Sequence, residues 1–521
     1  MKAAGSALRE FVKRNTCIIV LVTGGLLITG WTLLRFFTEA SIFDLVGQQV
    51  FAQELLRGAG DATLGATHYL LKVFLLYIPL VWLEIPPRAA LIGMTLFINI
   101  TSYILIAFAL KKILAELSLR TGKYFYIGLL WLAAFAGSIF WIEFSNSRNI
   151  EVAAGVWLIA LGLSWVRSPS RLLAIGLFSL AVLTFYIDPL QIFMTAVPLA
   201  VFITLQQYKK KDGRRKVVIF GLILLGAYAI SLLLLALSKV VIGVDFVSTG
   251  GLAVSAVLND IVSSVRQLGI ANVRLFAGTL EDGGRVRQGV ALIATCIVVI
   301  TWIILAFKKR FKSVVVQYVI IFFVVIQAVY LLSGQSLNGD TSRYLIMLAP
   351  LFVILISAFD SKRADVKAVK YSLIVAIIAN GLFVVGALFN SFPERFTKDA
   401  QLDNIADYSQ AQKTTTVFAS MDIALPTMYY RPKVTILPLA CEGDRLVTSS
   451  TFYPKTSFRK QVDLNNRNEA IVIADGQITN YPNTCSKEDI VAQFGTPASV
   501  TALSTGKVVL IYPGGVVSER L

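Results

Sequence analysis

Charged side chains that could carry out chemistry occur in short polar segments between the long apolar runs of this sequence. Four such segments contain acids, arginines or both. The residues concerned are Glu39, Asp44, Arg148, Glu151, Asp188, Asp340 and Arg343. A carboxylate can accept a proton or bind a cation, and an arginine can bind a phosphate or a carboxylate. The set therefore indicates a polar site built from several distant parts of the chain.

Each of these residues also has a purely structural explanation. Asp188 precedes a proline, which is the order expected of a helix N-cap and the first helical residue. Arg148 and Glu151 are three residues apart and could pair at a helix end. Arg343 could extend from a helix into lipid headgroups, and Asp44 could be an acid of a first helical turn. Either interpretation fits each residue taken alone.

Three further residues are candidates because of their position. His68 is the one histidine of the chain and ends a polar segment. A lone histidine is more often a surface or capping residue than a functional one. Lys72 lies in the apolar run that follows, and Tyr344 comes directly after Arg343.

The apolar runs have the length of membrane-spanning helices. Hydrophobic residues make up 56% of the chain, and a helix needs about twenty residues to cross a hydrocarbon core of about 30 Å. The sequence predicts a polytopic α-helical membrane protein with about eleven spans. The predicted spans are residues 17–36, 89–110, 124–144, 150–166, 171–187, 190–207, 217–239, 289–307, 313–333, 343–359 and 369–390. The first is read as a retained anchor, not a cleaved signal peptide.

Lysines and arginines cluster in alternate gaps between these spans. The basic gaps are residues 1–16, 111–123, 167–171, 209–216, 308–312 and 360–370. Because cytoplasmic loops carry an excess of lysine and arginine, they predict a multi-pass plasma-membrane protein with a cytoplasmic N-terminus and an extracytoplasmic C-terminal domain. The net charge of +17 follows from these gaps, so nucleic acid is not an expected partner.

The predicted membrane domain, residues 1–390, has two substantial outer loops, 37–88 and 240–288. In the first, residues 41–58 place apolar side chains at helical spacing, with Asp44 and Gln48 on the other face. This pattern predicts an amphipathic helix on the bilayer surface. The second loop carries several acids and arginines, among them Arg287, and could close over a substrate or be only a solvated lid.

Residues 69–84 are apolar but short, contain Lys72 and are interrupted by Pro79. Counting them as a span would place the basic gap at 111–123 on the outer side. They therefore predict a helix that lies in or dips into the outer interface. Two spans within 69–110 remain an alternative.

The predicted extracytoplasmic domain, residues 391–521, is a small α/β domain of about four strands. The strand-like runs are residues 417–420, 434–439, 470–475 and 507–512, and KEDIVAQFG is helix-like. Cys441 and Cys485 could form a disulfide in an oxidising compartment or be two buried reduced cysteines. Cys17 and Cys296 fall in predicted spans, where they are expected to be packing residues.

The whole architecture resembles the GT-C class of polyprenyl-phosphate-dependent glycosyltransferases. The resemblance rests on a long outer loop with juxtamembrane helices and an acid shortly after the first span, a second acid near the third or fourth span, and an outward C-terminal domain. It also includes the Arg343-Tyr344 start of a late span, followed by Pro350. The usual Asp-Glu or Asp-x-Asp signature is absent, because Glu39 lies five residues before Asp44.

The resemblance implies a sugar donor on a polyprenyl phosphate and a cell-envelope glycan, lipid or protein as acceptor. Asp44 would act as general base in an inverting transfer. Glu151 would orient the acceptor or bind a divalent cation, Mg²⁺ or Mn²⁺, with weak or no dependence on metal. Arg343, with Arg148 or Lys72, would hold the leaving phosphate. The substrate-binding candidates are Glu39, His68, Lys72, Arg148, Asp188, Arg343 and Tyr344.

Two other functional classes remain open. A flippase or exporter of lipid-linked sugars would place charges along its spans and contain an internal repeat. A glycan polymerase or ligase would gather arginines and a histidine in one large outer loop. ATP hydrolysis is not expected, because the sequence has no Walker motif.

Overall fold

A computed structural model of the protein describes most of the chain. The described residues are 2–38, 43–59, 61–64, 72–85, 87–134, 149–210, 212–246, 261–277, 285–308, 313–332, 345–359, 366–391, 405–409, 414, 416–430, 435–449, 453–454, 457, 468–474, 477–480, 483–503 and 506–521.

Helices make up most of the described chain. The α-helices are α1 (Lys2–Thr38), α2 (Phe43–Leu56), α3 (Ile78–Trp82), α4 (Pro87–Glu116), α5 (Lys123–Ala134), α6 (Asn149–Arg167), α7 (Arg171–Ile187), α8 (Val197–Gln207), α9 (Gly213–Ile242), α10 (Ile261–Ala277), α11 (Arg285–Phe307), α12 (Ser313–Leu332), α13 (Leu348–Ser357), α14 (Lys367–Ser391), α15 (Met421–Tyr430), α16 (Lys487–Phe494) and α17 (Val516–Arg520). Turns of π-helix, Val73–Tyr77 and Ile192–Ala196, lead directly into α3 and α8.

Seven helices within the described residues are long and apolar enough to cross a membrane. Their apolar stretches are Asn15–Leu33, Ala89–Glu116, Asn149–Arg167, Gly213–Ile242, Val286–Phe307, Val314–Leu332 and Lys367–Gly386. The other four predicted spans coincide with the shorter apolar helices α5, α7, α8 and α13. The chain thus has the helix lengths and composition of a multi-pass membrane protein, and the total of eleven spans stays a prediction.

The chain divides into two compact units. The helical unit comprises Met1–Arg35, Thr95–Leu234 and Thr249–Phe389. The mixed unit comprises Phe36–Met94, Leu235–Ser248 and Asn390–Leu521. A boundary between the two units falls at residue 390, where the sequence predicted one. The predicted first outer loop, however, belongs to the same compact unit as the C-terminal residues.

The core of the helical unit is apolar and rich in aromatic rings. The Trp131 ring on α5 lies 4.6 Å from the Phe352 ring on α13, between centroids. A Cβ atom at Gly128 would lie 3.0 Å from the Val353 side chain, so the glycine allows α5 and α13 to approach closely. Outward-facing leucines such as Leu222 and Leu225 are exposed, as expected of a surface that faces lipid.

The mixed unit is built around an eight-stranded sheet. Two short strands, β1 (Thr63–Leu64) and β2 (Asp245–Phe246), form a separate parallel pair. The sheet consists of β3 (Thr416–Ser420), β4 (Ile436–Glu442), β5 (Arg445–Thr448), β6 (Asn468–Ala474), β7 (Gln477–Asn480), β8 (Asn483–Ser486), β9 (Ser499–Ala502) and β10 (Lys507–Pro513). Their order is β5-β4-β3-β6-β10-β9, and the β7–β8 hairpin extends from β6.

The four predicted strand runs correspond to β3, β4, β6 and β10, so the strand-containing C-terminal region is confirmed, but the sheet has eight strands and not about four. Strands β4 and β6 both pair in parallel with β3, while β10 pairs antiparallel with β6. The predicted helix is α16, which begins with a capping box between Ser486 and Asp489. The hydrogen bonds that Ser486 donates to its carboxylate lower the pKa of Asp489.

Cys441 and Cys485 form a disulfide that joins β4 to β8, with Cα atoms 5.7 Å apart. The alternative of two reduced cysteines is therefore wrong in this structure. Both half-cystines are fully buried in the core of the mixed unit.

Helix α2 differs from the amphipathic surface helix that the sequence indicated. Every side chain from Val46 to Ala52 is buried, including the amides of Gln48 and Gln49. The helix packs against α15 and shares a core with the sheet. Its apolar spacing reflects packing against protein.

The described segment 72–85 contains a short apolar helix. This helix, Val73–Trp82, has about half of the length that a span needs. Val73 and Tyr77 are buried in the core of the mixed unit, whereas Leu75, Trp82 and Leu83 are exposed. An apolar exposed face on a short helix is what an interfacial helix requires.

We expect the disulfide to stabilise the mixed unit. Replacing both Cys441 and Cys485 with serine should lower its free energy of unfolding by about 2 to 4 kcal/mol, because the crosslink restricts the unfolded chain. Amide hydrogen exchange of β4 and β8 in the full-length protein would measure the change. The matched control replaces the two free cysteines, Cys17 and Cys296, and should leave that exchange unchanged. Equal exchange in both double variants would contradict this prediction.

Candidate functional site

The structure describes three predicted site residues completely and a fourth in part. Glu151, Asp188 and Lys72 are described with their side chains. The backbone of Asp44 lies in the first turn of α2, and its side chain is not part of the description. The other predicted residues lie outside the described ranges. These are Glu39, His68, Arg148, Arg343 and Tyr344.

A chain of buried polar side chains joins three helices of the helical unit. The Asn99 amide on α4 donates to the Thr32 hydroxyl on α1 over 2.9 Å. The Asn149 amide, at the start of α6, donates to the Asn99 carbonyl oxygen over 2.6 Å. All three side chains are fully buried. Such bonds fix the ends of α1 and α6 against the middle of α4.

Glu151 lies in the first turn of α6, two residues after Asn149, and is 1% exposed. A negative charge is favoured at this end of a helix, because the amide groups of the first turn point towards it. Burial of a carboxylate in an apolar bundle is nevertheless costly. Glu151 is therefore the buried acid of this unit that most needs an explanation beyond packing.

Asp188 follows α7 and is 5% exposed. Its carboxylate accepts hydrogen bonds from the Leu190 amide at 3.1 Å and from the Gln191 side chain at 3.4 Å. The N-cap residue of the next helical segment is Gln191 and not Asp188, so the carboxylate holds the turn that leads into that segment. This structural role does not exclude a second one, because a carboxylate has acceptor positions for further partners.

Glu151 and Asp188 belong to one interface within the helical unit. Gly155 is one turn after Glu151 on the same face of α6. A Cβ atom at Gly155 would lie 2.7 Å from the Gln191 Oε1 atom, so the glycine lets α6 approach the Asp188–Gln191 turn.

A buried cation, Arg287, lies near the same end of the helical unit. It is in the first turn of α11 and 5% exposed. Its guanidinium carbon lies 4.4 Å from the Phe383 ring centroid and 5.7 Å from that of Trp31. Trp31 precedes Thr32 of the polar network and donates its indole N–H to the Ala134 carbonyl. In the sequence, Arg287 is one of several charges in the second outer loop and has no feature that marks it as buried.

Lysines and arginines of the basic gaps lie at the opposite ends of these helices. Arg167, at the end of α6, lies 3.4 Å from Glu116 at the end of α4. Lys216, at the start of α9, donates to the Val166 carbonyl. The helical unit therefore has buried acids and a buried arginine at one end and exposed lysines and arginines at the other.

The mixed unit also contains buried acids that the sequence did not single out, among them Glu54. Glu54 on α2 is 4% exposed, pairs with Arg57 at 2.6 Å and accepts a hydrogen bond from the Ser457 hydroxyl. Burial, and then the neighbouring Glu54 charge, raise the pKa of Tyr453 well above its usual value. The i, i+3 spacing of Glu54 and Arg57 was the available sequence signal, and it gave no indication of Ser457.

Helix α2 also borders a cavity of about 200 Å³ in the mixed unit. Polar side chains from Gln49, Gln53, Tyr77 and Glu84 line it together with apolar groups of the 77–85 segment. Lys72, one turn before Tyr77, is 3% exposed. The helix that carries Asp44 is thus fixed by the core and flanked by polar groups.

No group of three histidine, cysteine, aspartate or glutamate side chains that could hold a metal ion occurs in the described parts of the chain.

No protein-family model matches the chain, and no curated protein matches it either. Function must therefore be inferred from the chemistry of the buried side chains.

We expect Asn99→Leu to destabilise the helical unit by about 1 to 3 kcal/mol, because buried groups of Thr32 and Asn149 lose their partner. The midpoint of thermal unfolding in detergent would report the loss. Thr29→Ala is the control, since that hydroxyl donates to the Gly25 carbonyl of its own helix. If the two variants unfold at the same temperature, the network has no stabilising role.

Proposed function

We propose that the protein is a membrane glycosyltransferase with a GT-C-like fold, which moves a sugar from a polyprenyl phosphate to an extracytoplasmic acceptor. The observation that carries the proposal is the burial of Glu151, Asp188 and Arg287 in end turns at one end of the helical unit. Buried ionisable groups in membrane helices usually mark a functional site. Their position suits a donor whose phosphate stays at the level of the lipid headgroups.

The cations of this proposal bind the donor phosphate. A guanidinium presents several N–H groups in one plane and binds phosphate in a bidentate way. Arg287 is a further candidate for binding the phosphate, besides Arg343, Arg148 and Lys72, because it is buried among aromatic rings. Rings of this kind also suit the apolar isoprenoid that follows the phosphate.

The proposed general base is Asp44. Transfer removes a proton from the acceptor hydroxyl as its oxygen attacks the anomeric carbon, while the bond to the donor phosphate breaks. One base acting in a direct displacement gives inversion at that carbon. The buried residues Val46–Ala52 hold the helix that carries Asp44, and a fixed backbone supports the precise placement that a base needs.

Glu151 is proposed to orient the acceptor or to bind Mg²⁺ or Mn²⁺, with a weak dependence on metal. Glu39, His68, Asp188 and Tyr344 are proposed to bind substrate. The acceptor is a cell-envelope glycan, lipid or protein, and the mixed unit is proposed to hold it. Nucleic acid is not a proposed partner.

The proposed location is the plasma membrane, with the N-terminus cytoplasmic and the C-terminal residues outside. The gathering of basic gaps at one end of the helical unit supports this orientation, because such residues are retained on the cytoplasmic side. The Cys441–Cys485 disulfide supports it independently, since disulfides persist in oxidising compartments.

A flippase for lipid-linked sugars is the second candidate, and the burial pattern favours the transferase. Among the described residues of the helical unit, the buried charged side chains Glu151, Asp188 and Arg287 all lie at helix ends. A transporter would be expected to place such groups near the middle of its spans.

Catalysis is tested with purified full-length protein, synthetic polyprenyl-phosphate sugars and a panel of acceptors. Asp44→Asn should lower kcat by about 10² to 10⁴, the usual contribution of a general base. Glu151→Gln should lower kcat by about 10², as expected when a reactant is misplaced. Release of polyprenyl phosphate measures both.

The matched control is Asp245→Asn, which removes an exposed acid that pairs with Lys239 at the surface of the mixed unit. Its kcat should equal that of the wild type, because exposed ion pairs contribute little. Full activity of Asp44→Asn would remove that residue from the mechanism. Translocation of lipid-linked sugar in vesicles, with no transfer to any acceptor, would favour the flippase instead.

The orientation is tested by cysteine labelling of intact cells, with Cys17 and Cys296 replaced by serine. Glu488→Cys on α16 and Ser168→Cys after α6 both alter exposed positions. A membrane-impermeant maleimide should label position 488 in intact cells and position 168 only after permeabilisation. The reverse pattern would invert the proposed topology.

A further inference from the structure

A second polar cavity lies in the helical unit, at the end that carries the basic gaps. Its volume is about 350 Å³. The ends of α4, α6 and α8 and the starts of α9 and α12 surround it. None of its described lining residues belongs to the proposed transfer chemistry, so its occupant is a separate question.

The rim of this cavity is cationic. Its charged lining residues within the described parts of the chain are Arg167, Lys210 and Lys216, together with one acid, Glu116. The Ser164 hydroxyl lies 2.9 Å from the Glu116 carboxylate, and Arg167 lies 3.4 Å away. The Val166 carbonyl accepts one hydrogen bond from Lys216. Since each ammonium has three donors, the rim has donors and net positive charge for an anion.

The inner wall of the cavity is apolar. Leu163, Phe202 and Val314 contribute to it. Beside it, Leu205 and Tyr208 at the end of α8 are largely exposed, which is typical of a surface that faces lipid. A cationic rim above an apolar wall matches an amphiphile with a negative headgroup.

The positive-inside pattern does not by itself account for this arrangement. Orientation requires only that lysines and arginines lie in the loop, wherever they point. Lys209 and Arg215 belong to the same basic gap and are not among the lining residues. Three cations from three different segments of the chain therefore line one cavity, as is typical of a binding site.

We propose that this cavity binds the phosphate headgroup of an anionic membrane phospholipid, with an acyl chain leaving along α8. Its volume lies in the range of small-molecule sites, about 300 to 1,000 Å³, and exceeds what a single inorganic phosphate fills. The apolar wall favours a lipid over a free phosphate. Such a lipid would fasten the ends of α6, α8 and α9 to one another and to the membrane.

The test uses full-length protein in nanodiscs or mild detergent and native mass spectrometry with phosphatidylglycerol. Arg167→Gln and Lys210→Gln should each weaken lipid binding about fivefold, because each removes one cation from the rim. Lys209→Gln and Arg215→Gln are matched controls and should bind lipid as the wild type does. Phosphatidylcholine and inorganic phosphate form the other two arms.

Selective loss in the two rim variants, with phosphatidylcholine bound weakly by all, would support the proposal. Equal loss in rim and control variants would overturn it in favour of a diffuse attraction to anionic lipid. Displacement of the lipid by millimolar inorganic phosphate would overturn it in favour of a soluble ligand. These outcomes do not depend on transferase activity.

Discussion

The cost of placing a polar group in apolar surroundings controls the arrangement of this molecule. In the helical unit, some buried polar side chains donate to carbonyls of their own helix, as Ser357 and Asn380 do, and others pair across helices, as in the Thr32–Asn99–Asn149 network. An unpaired group in hydrocarbon would cost several kcal/mol. The network therefore both satisfies these groups and fixes the register of α1, α4 and α6. This register also sets the position of Glu151, because Glu151 lies two residues after Asn149 on α6.

The two ends of the helical unit differ in whether their charged side chains are buried or exposed. At one end, acids and Arg287 are buried; at the other, Arg167, Lys210 and Lys216 are partly or largely exposed. Burial at one end restricts water and strengthens electrostatic interactions, which suits chemistry. Exposure at the other end suits contact with anionic headgroups. Orientation in the membrane thus decides which compartment meets the buried acids.

Most helices could be predicted from sequence, because long apolar runs leave few alternatives. The burial of α2 could not be predicted, because apolar residues have the same spacing in a helix buried in protein and in one that lies on lipid. Strands β5, β7, β8 and β9 were missed because four-residue runs such as QITN are too short to show a clear alternation. Glu54 was missed because its partner Ser457 is 403 residues away. The burial of Arg287 could not be predicted either, because its aromatic neighbours lie on α1 and α14, far away in the sequence.

The mixed unit is not a tail that can be detached from the chain. Three separated segments build it, and β1 of the first loop pairs with β2 of the second. Helix α2 buries Val46, Val50 and Phe51 against a core that residues after 390 complete. Uncovering such side chains costs about 1.5 to 3 kcal/mol each. The position of Asp44 therefore depends on residues near the other end of the chain, and a truncation there would alter the proposed base without touching it.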